Sequence, residues 1–497
     1  MNNHWNLKNT YEKLPEEFYS KVKSSPVKEP RLVILNEDLA NDLGLIIDRL
    51  RSEEGVEILS GNRPVQGEYS ISQAYAGHQF GHFTMLGDGR AILIGEQVTP
   101  SGKRYDLQLK GSGRTPYSRG GDGRATLGPM LREYLISEAM HGLGIPTSRS
   151  LAVIETGEKV RREQFQPGAI LTRVAKSHLR IGTIQYAAAW TSIEKLKTLV
   201  DYGIQRHDSE CKDHENPYFC FYKKVLERQA KLIAKWQRVG FIHGVMNTDN
   251  MTLNGETIDY GPCAFMDEYK ENTVFSSIDH YGRYSYGNQP KIGAWNLARL
   301  AESLVPLFHR EKEKGMKLAE EALEYYEQVY RDAWLREMGG KLGLKRPEEK
   351  HRRLIHDLLD IMEKQELDYT NTFLALLEEL MLEEGTISKV IHFLDHDSDL
   401  IQWKERWKAE LIPSSQKKGE IIEVMKAHNP RVIPRNHLVE DALKKYVDQQ
   451  NSGDFIRLLE ILKTPYDHER FFAEDKVDPY QKPGPKDGKP YQTFCGT

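Results

Sequence analysis

The chain has 497 residues, with 69 Lys and Arg against 73 Asp and Glu, a net charge of −4, and 39% hydrophobic and 29% charged residues. That balance suits a globular protein of about three ordinary domains or two large lobes, and it excludes disordered, collagen-like and coiled-coil classes. A dedicated nucleic-acid binder would carry a basic surplus, so nucleic acid is not an expected partner.

No stretch approaches the roughly 18 consecutive apolar residues that span a bilayer. The opening residues lack the charged-then-apolar layout of a secretory signal. A cytoplasmic location without membrane association is therefore expected. The four cysteines, Cys211, Cys220, Cys263 and Cys495, are too few and too scattered for a disulfide framework.

Residues 1–70 read as a polar N-terminal extension with short apolar runs such as 32–35. Residues 71–180 read as a glycine-rich β-containing lobe. There 91–94 is a buried strand, 99–102 a turn and 105–110 a returning strand. Leu107 and Leu109 alternate with Asp106, Gln108 and Lys110, giving one apolar and one polar face. The spacing predicts a helix over 127–143, stopped by Gly144 and Pro146. From about residue 185 the pattern is mainly helical, with helices expected over 291–308, 320–334 and 351–382. Trp295, Trp334, Trp403 and Trp407 fit apolar helix faces. Residues 181–477 thus form a larger helical lobe, and 478–497, rich in Pro, Gly and Lys, a mobile tail ending near Cys495.

Four features carry chemistry, and their order is that of nucleotide-binding kinases. Leu86-Gly87-Asp88-Gly89-Arg90 precedes the strand at 91–94, and its two glycines let backbone N–H groups approach phosphates. Alone it is equally an ordinary hairpin turn. Lys110, at the end of the next strand, is placed to contact ATP phosphates. A glutamate on the following helix, Glu133 or Glu138, is placed to pair with it, and helical phase does not choose between them. The strongest feature is His243-Gly-Val-Met-Asn-Thr-Asp-Asn250 followed by Asp259-Tyr-Gly261, which matches a kinase catalytic loop and metal-binding triplet in spacing. Asn250 and Asp259 offer the hard oxygens that Mg²⁺ prefers. Together the four point to an α+β, protein kinase-like bilobal fold. One position breaks the pattern: Val245 stands where the kinase base aspartate belongs and cannot accept a proton. Asp249 is the nearest carboxylate. A catalytically dead pseudokinase is the competing reading.

At this point a resemblance becomes specific. Gln73-Ala-Tyr-Ala-Gly-His-Gln-Phe-Gly81, Leu109-Lys-Gly-Ser-Gly-Arg-Thr-Pro-Tyr-Ser-Arg119, Asp122-Gly-Arg124, the 243–261 block and Ile278-Asp-His-Tyr-Gly-Arg-Tyr-Ser285 resemble the selenoprotein O family over essentially the whole chain. The resemblance implies a kinase-like protein adenylyltransferase that moves AMP from ATP to Ser, Thr or Tyr hydroxyls of proteins, with ATP reversed relative to kinases. It implies ATP contacts at Gly87, Gly89, Arg90, Lys110, Asp122, Gly123, Arg173, Arg180 and Asp259. Asn250 and Asp259 would bind Mg²⁺, with Mn²⁺ as an alternative, Asp249 would accept the proton, and Lys110 would pair with Glu133. A monomer is expected. Seven basic and two acidic residues between 103 and 132 suit a bound triphosphate. A protein or small-molecule phosphotransferase and a non-catalytic nucleotide-binding scaffold are the alternatives.

Cys495 occupies the position where several family members carry selenocysteine. Some members pair it with a cysteine of the activation segment, but residues 274–278 here hold serines, leaving Cys263 as the nearby candidate. His207, Cys211, His214 and Cys220 are too loosely spaced to read as a zinc site. His78 and His82 read as packing or hydrogen-bonding histidines, not metal ligands.

Overall fold

A computed structural model describes residues 5–65, 67–381, 398–411, 417–469, 479–485 and 491–494. The strands are β1 (Leu7–Lys8), β2 (Tyr19–Val22), β3 (Arg31–Leu35), β4 (Ser70–Gln73), β5 (Ala76–Gln79), β6 (His82–Met85), β7 (Ala91–Val98), β8 (Arg104–Lys110), β9 (Ala125–Thr126), β10 (Arg149–Arg161), β11 (Phe165–Ala175), β12 (Phe241–Ile242) and β13 (Ala264–Phe265). Three short helices, α1 (Glu37–Asp42), α2 (Ile47–Arg51) and α3 (Glu53–Leu59), precede α4 (Leu127–Gly142), α5 (Ile181–Trp190), α6 (Ile193–His207) and α7 (Pro217–Arg238). Then come α8 (Gln289–Phe308), α9 (Lys312–Lys341), α10 (Lys350–Lys364), α11 (Tyr369–Met381), α12 (Ser398–Leu411), α13 (Lys418–His428), α14 (Asn436–Gln449) and α15 (Gly453–Lys463).

The sheet-rich part is one antiparallel sheet ordered β2-β4-β7-β8-β11-β10-β3, with β1 beside β7 and β9 beside β11. The stretch read as an N-terminal extension thus supplies β1, β2 and β3 to this sheet. β7 and β8 pair from Ala91↔Lys110 to Val98↔Arg104, around the turn in which Gly102 N–H donates to the Thr99 carbonyl. α4 packs its apolar side chains, among them Leu131 and Leu135, into a core shared with Trp236, Phe241 and Tyr260. Full burial of each such side chain contributes roughly 1.5–3 kcal/mol. That core holds the 243–261 loop under α4. The rest, from α5 onward, is helical apart from the short β12–β13 pair.

Several expectations change. The polar face of β8 is buried like its apolar one: Asp106, Gln108 and Lys110 are buried together with Leu107 and Leu109, because that face lines an internal polar site. The helix expected over 351–382 is two helices, broken at Glu366, which takes φ 51°. Trp334, Trp403 and Trp407 are core, but Trp295 is only half-buried, with Arg283 and Arg299 over its ring. The described residues of the tail are not loose. Thr493 bridges Ser276 in parallel register, its hydroxyl donates to the Pro262 carbonyl at 2.7 Å, and Tyr491 donates to Glu440. Cys495 lies outside the described residues. Cys211 and Cys220 form a disulfide that the scattered cysteine positions did not signal.

Arg435 ties this region together. Its side chain is buried and pairs with Asp267 at 2.5 Å and Asp368 at 2.7 Å, and it donates to the Gln481 carbonyl. Removing it leaves two carboxylates without their counter-charge. Arg435→Ala is expected to cost about 3–5 kcal/mol in urea unfolding; a loss below about 1 kcal/mol would show that the carboxylates are compensated otherwise.

Candidate active site

The end of β8 places Lys110 inside the protein, where its Nζ donates to Glu133 Oε2 at 2.6 Å and Asp259 Oδ1 at 2.7 Å. Arg173, on the neighbouring β11, pairs with the other Glu133 oxygen at 2.5 Å and reaches Asp259 at 3.5 Å. Two cations and two carboxylates therefore form one closed cluster. Burial alone would push both carboxyls up. The cations outweigh it, so Glu133 is held down by Arg173 and Lys110, and Asp259 falls well below the carboxylate range beside Lys110 and Arg173. Glu138, five residues on, is taken by a bidentate pair with Arg149 at 2.7 and 2.6 Å.

The Gly87–Gly89 turn lies beneath residues 115–118. A Cβ at Gly87 would run into the Tyr117 ring, and one at Gly89 would lie 2.8 Å from the Tyr117 carbonyl oxygen. The glycines are thus required by close packing, and Gly87, at φ 135°, also by conformation. Between them Asp88 is buried and accepts from Gln73 N–H and Gln108 Nε2, with Arg180 at 3.6 Å.

The 243–261 loop is fixed from all sides. His243 bonds the Ile258 carbonyl at 3.0 Å, Asn296 donates to Met246 O at 2.8 Å, and Tyr284 donates to Asn247 Oδ1 at 2.6 Å. Val245 sits in the apolar core, so the kinase base position is closed to substrate. Asp249 has a different setting. Arg180 donates to its backbone carbonyl, the backbone of Gly77 lies so close that a Cβ there would strike the carboxylate, and Oδ1 is buried with no hydrogen-bond partner. Burial raises its pKa to about 6, with Arg180 pulling the other way. Asp259 adopts φ 68°, a left-handed conformation that aspartate tolerates better than most residues.

The remaining expected residues are distributed unevenly. Arg90 and Arg173 both act electrostatically on Asp259, and Arg180 stacks on the Tyr75 ring at 4.4 Å. Asp122 instead pairs with Arg162 at 2.8 Å, while Gly123 accepts from Gly113 N–H through its carbonyl. Of the seven basic residues at 103–132, Arg104, Arg124 and Arg132 are engaged with Glu96, Glu158 and Glu440, whereas Arg114 and Arg119 are exposed. The local positive excess is therefore partly structural. Sequence reasoning missed Asp88, Gln108 and Tyr75, and only the alternation of β8 hinted at one of them. Cys263 is a buried free thiol, pushed up to about 12 by burial. His207, set beside Ser177 Oγ at 2.7 Å, is not part of a zinc site.

Among the described residues no three His, Cys, Asp or Glu side chains converge as a metal site. Asn250 donates through Nδ2 to the Val245 carbonyl at 3.0 Å, which leaves its Oδ1 as an oxygen that could ligate an ion. With Asp259 this makes a two-residue oxygen set, the kind that Mg²⁺ completes with phosphates and waters. The donors fit the ion.

A buried lysine–glutamate–aspartate cluster, a glycine turn and a loop with adjacent Asp and Asn stand together in a kinase-like fold. The family model described as protein adenylyltransferase SelO matches residues 3–463, and the chain belongs to that family. It is 55% identical to the protein nucleotidyltransferase YdiU of Geobacillus kaustophilus, over 99% of both chains. It shows the same identity to the YdiU proteins of Bacillus cytotoxicus and Brevibacillus brevis, over 99% of this chain and 98% of theirs. Among solved structures it is similar to ROP2 from Toxoplasma gondii, described as a virulence factor with a protein-kinase fold and no enzymatic activity. That match has 9% identity and a TM-score of 0.26 over 71% of this chain and 86% of the other, too loose to bear on activity. The protein is a nucleotidyltransferase, and no helix among the described residues is long and apolar enough to cross a membrane.

The setting of Asp249 has a measurable cost. A carboxyl titrating at about 6 when folded and near 3.9 when unfolded favours folding only at low pH, and that contribution is lost as pH rises through about 6. In the metal-free protein, Asp249→Asn is therefore expected to stabilise by about 1–3 kcal/mol at pH 8 and by almost nothing at pH 4. Urea unfolding at the two pH values checks this, and equal effects at both would contradict the raised pKa.

Proposed function

We propose that the protein transfers AMP from ATP to serine, threonine or tyrosine hydroxyls of other proteins, with ATP reversed relative to its pose in kinases. The observation that carries this reading is Asp249: a buried carboxylate with one unpartnered oxygen, beside Arg180, at a site whose kinase base position is an apolar valine. A base near pH 6 is tuned for accepting a hydroxyl proton at neutral pH.

The acceptor oxygen attacks the α-phosphorus, the bond to the β-phosphate oxygen breaks, pyrophosphate leaves, and the hydroxyl proton passes to Asp249. Gly87, Gly89, Arg90, Asp122, Gly123, Arg173 and Arg180 form the proposed nucleotide contacts. Lys110, fixed by Glu133, presents its ammonium to the phosphates. Asn250 and Asp259 would hold Mg²⁺ or Mn²⁺, which supplies charge neutralisation at the phosphates. Action on cytoplasmic proteins is part of this reading, and the near-neutral composition supports it.

ATP labelled at the α- or the γ-phosphate tests the reading. Protein-bound label is expected from the α position alone; label from γ would make the protein a kinase, and none from either a nucleotide-binding scaffold. Asp249→Asn is expected to slow transfer about 10²–10⁴-fold, and Asp259→Ala to abolish it; full activity in either would remove that residue's role.

A further inference from the structure

The glycine-rich motif at 73–81 has no task in the chemistry above, yet it builds the hairpin β5–β6, paired from Ala76↔Met85 to Gln79↔His82 and separate from the main sheet. One face of this hairpin is pressed onto the active-site loop. Gly77 covers the Asp249 carboxylate, His78 N–H donates to Thr248 Oγ1 at 2.8 Å, and Phe80 N–H donates to Asn247 Oδ1 at 3.1 Å. Side chains alternate across a strand pair, so the opposite face carries His78 with Phe83, and Met85.

That outer face is apolar and open. Phe83 and Met85 are 43% and 46% exposed, and Trp190, at the end of α5, is 46% exposed. Phe83 stacks on Trp190 at 5.4 Å and packs at a tilt against His78 at 4.7 Å. Large exposed aromatics gathered in one patch mark an interaction site. At the hairpin's tip, Arg283 lies 3.9 Å from the Cβ position of Gly81 and 4.7 Å from the Trp295 ring. Among the described residues no carboxylate pairs with its guanidinium, so the rim of the patch is positive.

We propose that this face, formed by Phe83, Met85 and Trp190 with Arg283 at its edge, docks the polypeptide acceptor. It would select segments that carry a large apolar side chain and a carboxylate near the hydroxyl to be modified. The inference rests on the reading of the protein as a protein adenylyltransferase. The hairpin that carries the patch also covers Asp249 with Gly77 and bonds to Asn247 through Phe80, two residues from the proposed base, so patch and base share one element. Apolar anchoring with a charged rim is the usual economy of such surfaces, in which a few aromatic residues carry most of the affinity.

The full-length protein and α-labelled ATP are tested against an oriented peptide library with a fixed Ser, Thr or Tyr and degenerate flanks. The wild type is expected to enrich Phe, Leu, Met or Trp together with Asp or Glu. Phe83→Ser/Trp190→Ser should raise the KM of the best peptide about ten-fold with the KM for ATP unchanged. Met85→Glu, an exposed change that leaves the aromatic stack in place, should abolish the preference for acidic flanks, as should Arg283→Gln. Unaltered peptide KM and flank preference in the Met85 and Arg283 variants would overturn the docking surface and leave adenylyl transfer standing. Absence of α-label on any peptide or protein with the wild type would remove the adenylyl transfer reading and the docking surface with it.

Discussion

The buried cluster of Lys110, Glu133, Arg173 and Asp259 is the constraint on which the rest of this molecule depends. It joins β8, β11, α4 and the loop after the helical part begins, four elements far apart in sequence. Lys110, Glu133 and Arg173 are buried while Asp259 keeps one side open, so the three buried charges need their partners, and removal of Glu133 takes from Lys110 and Arg173 their only buried counter-charge at a cost of several kcal/mol. A site assembled this way is held in one geometry before nucleotide arrives. The packing of α4 onto the sheet and the core around Trp236 and Tyr260 serve to keep the four charges in register.

Around that cluster the protein uses glycine where backbones must approach closely. Gly87 and Gly89 admit Tyr117 above the turn, and Gly77 admits the hairpin onto Asp249. The result is a proposed base that is dry, partly unpartnered and held above its ordinary pKa. Stability is given up at this one carboxylate, as is common at catalytic positions. The contrast with Asp259 is instructive: two carboxyls ten residues apart on one loop are driven in opposite directions, one by burial and the other by cations.

Much of this was legible in the sequence because the decisive signals are local. The glycine turn, the strand ending at Lys110, the helix at 127–143 and the spacing from His243 to Gly261 all rest on near-neighbour patterns. What escaped is non-local. The choice of Glu133 over Glu138, which local pattern left open and the family resemblance alone made, depends on which helix face meets the sheet, since Arg149 takes the other glutamate. Asp88 read as part of a turn and Gln108 as one residue of a polar face, because alternation tells one face from the other but not what covers each. The break at Glu366 carries no glycine or proline to announce it. The Cys211–Cys220 bond depends on how α7 folds back on the segment before it, and the surplus of arginines at 103–132 concealed that three of them serve as struts.

The hydrogen bond from Thr493 to the Pro262 carbonyl spans 231 residues, and this has a consequence for biogenesis. A ribosome adding about 5–20 residues per second takes roughly 10–50 s to make the partner that secures the stretch just beyond Asp259-Tyr-Gly261. Throughout that interval the nascent chain already contains every residue of the ionic cluster, yet the segment around Ser276 lacks its bridge to Thr493. This clasp can therefore close only after the 231 residues that follow Pro262 have been made.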